Sequence, residues 1–425
     1  MPRWVLICSC MSSPVTQERL WTRDFTIFCV SSLVMFFAFY SLVSALPVYL
    51  SEELHAENWE IGVVLSSYAF AALLLRPFCG YALDAWGRKW IFLIGFFIFS
   101  VLFAFHALPT CIFSEETRIF RRFGEGFGLA LFCLIIIRFI HGLSWAIVTA
   151  GSQTITVDLV PTSRRGEGVA YTGLMVSLSM AVGPALGLTT LEALGGNKLF
   201  IISTVLSLIS FAAVCFMKFP PYRPTRSKIR LQAMFEKTSV PISLVCMLTC
   251  FSNAPVMSYV AIYSKDLPGT NAGVFFFVYA VSITAIRVFT GKLFDRYGPR
   301  IPVCSAYPFL VLGAVLMGVA HGPGLFYTAS VCLGFGSGII YPCFVACINN
   351  MVRPTRRGAA NATYSSAIDL GIGPGIVFFG VLSSYAGLRV TYFISAVLYA
   401  IAYGMYLLAE QHYLRHNLNK QSVFK

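Results

Sequence analysis

One carboxylate in this sequence stands apart. Of 18 acidic residues, Asp369 alone falls inside a long apolar run, and the rest group at the ends of such runs or between them. An ionised carboxylate is costly at such a depth, so proton uptake and release there can alternate with another event. Arg138 and His141 lie three residues apart in a second run, on one face if the run is helical. Histidine titrates across the physiological range, and arginine keeps its charge and can hold an anionic group. The expected chemistry is proton coupling at Asp369, with Arg138 and His141 supporting the proton path or an anion. The alternative for Asp369 is packing, with its carboxylate bonded to a serine or to backbone near Gly373-Pro374. Other chemistries lack their residues. Cys246/Cys250 and Cys343/Cys347 are each one helical turn apart, but no His or carboxylate joins them. No metal site, catalytic group or cofactor is expected, and no phosphate-binding or dinucleotide-binding glycine pattern occurs.

The elements that must position these residues follow from composition. The chain has 425 residues, 57% hydrophobic and 12% charged, with a mean hydropathy of +0.75. That is too little charge to cover a water-soluble globule. The apolar residues come in runs of roughly 20, the length that crosses a bilayer as a helix. Spans are predicted near 25–50, 60–82, 90–108, 129–157, 168–190, 197–217, 241–263, 272–293, 301–320, 324–349, 361–384 and 390–409. The fold is predicted to be an all-α integral membrane protein.

Lys and Arg orient the spans. With both termini cytoplasmic, 22 of 31 basic residues fall on the inner side and six on the outer side, as the positive-inside rule requires. The net charge of +13 is then spread over every inner loop, so nucleic-acid binding is not expected. The short apolar stretch Trp4–Cys10 lacks a cleavage site of the signal-peptide kind. Met11 is the expected start, with residues 1–10 a start-site error.

A repeat divides the chain. Arg76-Pro77-Phe78-Cys79-Gly80-Tyr81-Ala82-Leu83-Asp84-Ala85-Trp86-Gly87-Arg88-Lys89 is matched 211 residues later, where Arg287, Gly291, Asp295 and Gly298 reproduce its Arg, Gly, Asp and Gly. The same offset pairs Gly62 with Gly273 and Tyr68 with Tyr279. Pro161-Thr162-Ser163-Arg164-Arg165-Gly166 is echoed by Pro354-Thr355-Arg356-Arg357-Gly358, and Gly183-Pro184 is paired with Gly373-Pro374. Six spans have been duplicated in parallel. The divisions expected are a segment 1–24, bundles 25–217 and 241–410, a basic connection 218–240 and a tail 411–425.

The Gly80-x3-Asp84-x2-Gly87-Arg88-Lys89 pattern resembles motif A of the major facilitator superfamily. Arg138-x3-Gly142 is similar to its motif B, and Gly183-Pro184-x2-Gly187 to the core of its antiporter motif C, although Ser179 and Leu188 stand where the full motif has glycines. The resemblance covers nearly the whole chain. It implies the twelve-helix major facilitator fold as two pseudo-symmetric bundles, and a solute transporter working by alternating access rather than an enzyme. In residue terms, Gly80 permits close helix approach, Asp84 caps an opposing helix, and Arg88 or Lys89 pairs with Asp158. The resemblance makes these a conformational latch, repeated at Gly291, Asp295 and Gly298. Gly183, Pro184, Gly187, Gly371, Gly373 and Pro374 are expected bending points. Tyr40, Asn253, Tyr259, Tyr263 and Tyr341 are expected to line the solute cavity. The reading favoured is a monomeric, proton-coupled exporter of small amphiphilic solutes in the cytoplasmic (inner) membrane. The alternatives are a proton symporter for a sugar or organic acid, and a transporter-like sensor.

Overall fold

The computed structural model describes residues 19–112, 128–161, 164–222, 236–353 and 356–411. Residues 1–18, most of the basic connection and the tail beyond Gln411 lie outside the described residues, as do the side chains of Gly80, Asp84, Gly166, Lys292, Asp295, Arg357 and Gly358.

Every predicted span forms a helix, and twelve helices are long and apolar enough to cross a membrane. In the first half these are α1 Arg23–Glu53, α2 Asn58–Trp86, α3 Arg88–Phe105, α4 Leu129–Leu159, α5 Arg165–Leu194 and α6 Gly196–Cys215. In the second half they are α7 Val240–Ser258, α8 Ala272–Tyr297, α9 Arg300–Val319, α10 Pro323–Met351, α11 Arg357–Ala386 and α12 Leu388–Ala409. Their ends carry the usual signals. The Thr22 hydroxyl accepts from the Phe25 N–H at 3.2 Å, and Asn271 Oδ1 accepts from the Val274 N–H at 3.1 Å, each satisfying a donor of the first turn. One expectation shifts. The run predicted as 241–263 leaves helical geometry at Tyr259, one turn past Pro255, and resumes only as the short turn Val260–Tyr263.

The helices form two six-helix bundles. In the first, α1 packs along α5 and α2 along α4. In the second, α7 packs along α11 and α8 along α10. The bundles meet where α2 runs along α11 and α5 along α8. Apolar surface alone does not hold helices together in lipid, so close approach and polar contacts must. Ser41 donates to the Gly183 carbonyl at 3.0 Å, Ser210 to the Ser31 carbonyl at 2.6 Å, and the Ser100 and Ser207 hydroxyls bond at 2.8 Å.

The structure corrects the register of the repeat in α5 and α11. Both helices are 30 residues long, start after Arg164 and Arg356, and end at Gly195 and Gly387 with φ of 82° in each. That fixes an offset of 192, which pairs Gly183 with Gly375, not Gly373, and Ser177 with Asp369. Packing agrees independently. A Cβ on Gly183 would meet the Tyr40 Cβ at 2.9 Å and the Phe37 carbonyl; one on Gly375 would meet the Ala254 Cβ at 2.9 Å and the Phe251 carbonyl. The Gly-Pro dipeptides are therefore not equivalent positions.

These glycines sit where helices touch. Gly183 and Gly187 seat α5 on α1, Gly371 and Gly375 seat α11 on α7, and Gly373 faces Ala69 of α2. Both helices run unbroken through Pro184 and Pro374.

Hydrogen bonds and an ion pair close one end of the molecule across the two bundles. Glu52 in the last turn of α1 pairs with Lys265, the Trp59 N–H donates to Ser384 Oγ at 3.2 Å, and the Tyr259 hydroxyl reaches the carbonyls of Asn58 at 3.2 Å and Ile376 at 3.0 Å.

Candidate functional site

Asp369 has an ionic partner. Arg76 of α2 holds it in a two-point contact, Nε to Oδ2 at 2.5 Å and Nη2 to Oδ1 at 3.1 Å. Only 13% of the arginine side chain and 10% of the aspartate side chain are exposed. The partner is neither the serine nor the backbone that the packing alternative supposed. The pair joins α2 of one bundle to α11 of the other. In sequence Arg76 opens the repeated Gly80–Lys89 loop pattern and does not stand out as a site residue. The available signal was that three arginines and one acid fall within spans, since such charges tend to pair.

Arg138 and His141 lie behind this pair. Arg138 is fully buried, and its guanidinium carbon lies 4.5 Å from the centre of the Tyr68 ring, a cation–π contact worth about 2 kcal/mol or more when desolvated. None of its three nitrogens has a hydrogen-bond partner among the described residues, and neither ring nitrogen of His141 has one. His141 sits among Phe99 at 4.6 Å, Phe103 at 4.8 Å and His106 at 5.5 Å between ring centres. Gly142 lets α4 press on the backbone of Tyr68. Tyr68 in turn interacts electrostatically with Arg138, Asp369 and Arg76, so it ties the buried base to the cross-bundle pair.

The second bundle offers the counterpart. Arg287 of α8 stands at the repeat position of Arg76, and its guanidinium donates to the hydroxyl of Ser177 on α5. By the offset of 192, Ser177 stands at the position of Asp369. Both halves therefore reach across the interface in the same way, but only one reaches a carboxylate. Arg287 also interacts electrostatically with Tyr40 and Tyr279. Tyr279 donates to Ser337 at 2.9 Å, and Tyr399 donates to Asn253 Oδ1 at 3.0 Å.

Of the residues expected to line a cavity, Tyr40, Asn253 and Tyr341 join this interior network; Tyr341 is in reach of Cys250 and Tyr279. Tyr259 and Tyr263 do not. The first closes the end described above, and the second donates to the Met317 carbonyl at 2.9 Å. The short helical turn past Tyr259 carries both away from the straight path assumed for the span.

At the other end, Arg88 at the start of α3 binds Asp158 near the end of α4 with Nη1 at 2.5 Å and 2.6 Å from the two carboxylate oxygens, and its guanidinium lies 4.0 Å over the Tyr222 ring. This contact is within one bundle. Lys89 lies over the rings of Trp90 and Phe219 and, among the described residues, on no carboxylate. Gly87 and Gly298 take φ of 100° and 70°, a backbone region that favours glycine and lets the chain reverse within a residue or two. Gly291 has nothing within 4 Å of where a Cβ would sit, so it seats no neighbouring helix here. Asp84 and Asp295 lie outside the described side chains.

Two bundles, a duplicated loop and a polar interface form one coherent arrangement, and comparison with known families agrees. The Major Facilitator Superfamily model matches residues 28–349 and again 240–423. The chain belongs to the major facilitator superfamily. It is 22% identical to the "Staphylopine export protein" of Staphylococcus aureus, covering 86% of this chain and 91% of that protein. It is 23% identical to the "Uncharacterized MFS-type transporter YhhS" of Escherichia coli, over 92% and 95% of the two chains. Among solved structures it resembles a D-xylose-proton symporter, with a TM-score of 0.70, 16% identity, and coverage of 92% and 97%. The nucleoside transporter NupG is similar at a TM-score of 0.68, 14% identity, and coverage of 91% and 99%. As a major facilitator superfamily member, the protein is a multi-pass membrane transporter of small solutes, not an enzyme.

Proposed function

We propose that this transporter works by alternating access and couples export of a small solute to proton entry through the Arg76–Asp369 pair. The observation that carries the reading is the pair itself, a two-point ion pair bridging the bundles within the membrane-spanning region. Protonating Asp369 removes the charge that holds Arg76, which frees the interface to part. Tyr68, Arg138 and His141 support proton movement on the first-bundle side. The bundles proposed to move are 25–217 and 241–410, with 1–24, 218–240 and 411–425 outside them. The glycines and prolines of α5 and α11 allow small changes of helix curvature as they rock. Arg88–Asp158, with Gly80, Asp84, Gly87, Lys89, Gly291, Asp295 and Gly298, belongs to the latch on the basic, cytoplasmic side of the inner membrane. No partner protein is needed for this cycle, and a monomer suffices.

Everted vesicles with an acid lumen and a pH-sensitive dye test the reading. Lumen alkalinisation on adding a solute indicates proton-for-solute exchange; further acidification indicates symport and reverses the direction proposed. Asp369→Asn should lose at least about 1.4 kcal/mol of coupling, a tenfold fall in proton-linked flux, and should flatten its pH dependence. An unchanged pH profile removes Asp369 from the coupling role.

A further inference from the structure

We propose that Arg287, at the contact of α8 with α5, forms a subsite for a carboxylate group, so that the solute is a small organic acid or zwitterion. The inference rests on the transport reading and adds a substrate class to it.

The two cross-bundle contacts are equivalent in position and unequal in charge. Arg76 reaches Asp369, a carboxylate that neutralises it. Arg287 reaches Ser177, a hydroxyl that cannot. A guanidinium has five N–H donors, and Ser177 uses little of that capacity. Arg287 lies within the apolar membrane-crossing stretch Ala272–Gly291 of α8, four residues before its end. A cation at that depth is expensive unless it faces a partner or a polar cavity.

The guanidinium is held at the contact between α8 and α5. It touches α5 and interacts with Tyr40 of α1 and Tyr279 of its own helix, so it sits among the elements at the bundle interface. Arg287 is nonetheless exposed, whereas Arg138 is fully buried against Tyr68. Among the described residues, the interior cluster holds three arginines, at 76, 138 and 287, against the one carboxylate of Asp369. Its charge excess favours an anion, and the accessible, unneutralised guanidinium is where a planar carboxylate gains two parallel hydrogen bonds. The Tyr40 hydroxyl can donate a further bond that a carboxylate accepts, whereas the Tyr279 hydroxyl already donates to Ser337.

Binding is measured on the full chain in detergent, by thermal shift against matched pairs that differ only in charge: phenylacetate and phenylacetamide, nicotinate and nicotinamide, succinate and succinamide. An acid should stabilise the protein where its amide does not. Ser177→Asp supplies the missing internal carboxylate and should weaken acid binding by roughly tenfold or more while leaving Arg287 in place. Arg287→Gln should do the same, which covers the case where one variant fails to fold. Equal stabilisation by acid and amide, stabilisation by neither, or acid binding that survives both variants would overturn the proposal. No gradient is involved, so acid binding without flux would sink the transport cycle and leave the subsite standing.

Discussion

At the scale of single residues, the interior is defined by where charge is answered and where it is not. Arg76 is answered by Asp369. Arg138 is fully buried and answered only by the face of Tyr68. Replacing a buried charge with an apolar side chain of similar reach is often neutral or stabilising, by about 1 kcal/mol or more. Arg138→Met should therefore keep or raise the unfolding temperature while solute flux falls roughly tenfold or more, because the charge beside the Arg76–Asp369 pair is gone. Flux intact with a lowered unfolding temperature would show that Arg138 only supports packing. The sequence announced Arg138, His141 and Asp369 by their depth. It did not say which of the three arginines within spans meets Asp369, because pairing across 293 residues depends on which helices are neighbours.

At the scale of elements, α5 and α11 are the informative pair. Their equal length and matching ends show that a sequence alignment drawn on the Gly-Pro dipeptides is two residues out of register. Glycine spacing serves the helix that each one meets. Gly371 lies against the Met247 backbone and, with a Cβ added, would meet the Cys250 Cβ at 2.8 Å; Gly173 has nothing within 4 Å of that point. Gly371→Ala should lower the unfolding temperature, costing about 1 to 3 kcal/mol of overpacking. Gly173→Ala should leave it unchanged or slightly higher, since alanine is the better helix former. The same response from both variants would mean that the α7–α11 contact does not limit stability.

At the scale of the whole molecule, the two bundles touch at one end and at the interior pairs, and alternating access requires the end contacts to break. Trp59 and Ser384 approach across the interface at that end. Cysteines placed at 59 and 384, in a chain whose 13 native cysteines have been replaced, should cross-link and abolish flux, with recovery on reduction. A cross-linked protein that transports at the parent rate would mean that this end does not open during the cycle. The ion pair of Glu52 with Lys265 is exposed on both sides, so its own contribution is small, and the closure rests on the hydroxyls of Tyr259 and Ser384 bound to backbone.

The sequence by itself determined the number of spans, their helical form, the duplication and the superfamily. Each of these follows from local physics. Twenty apolar residues must form a helix in lipid because their backbone polar groups have no other partner there, and a repeated loop is visible as repeated letters. Only the tertiary structure decided which charges meet, because a partner 293 residues away is chosen by helix neighbours and by register. The register of α11 against α5 came from helix ends and glycine contacts, and it set Ser177 opposite Asp369. That one difference leaves one arginine of the repeat neutralised by a carboxylate and the other bonded only to a hydroxyl.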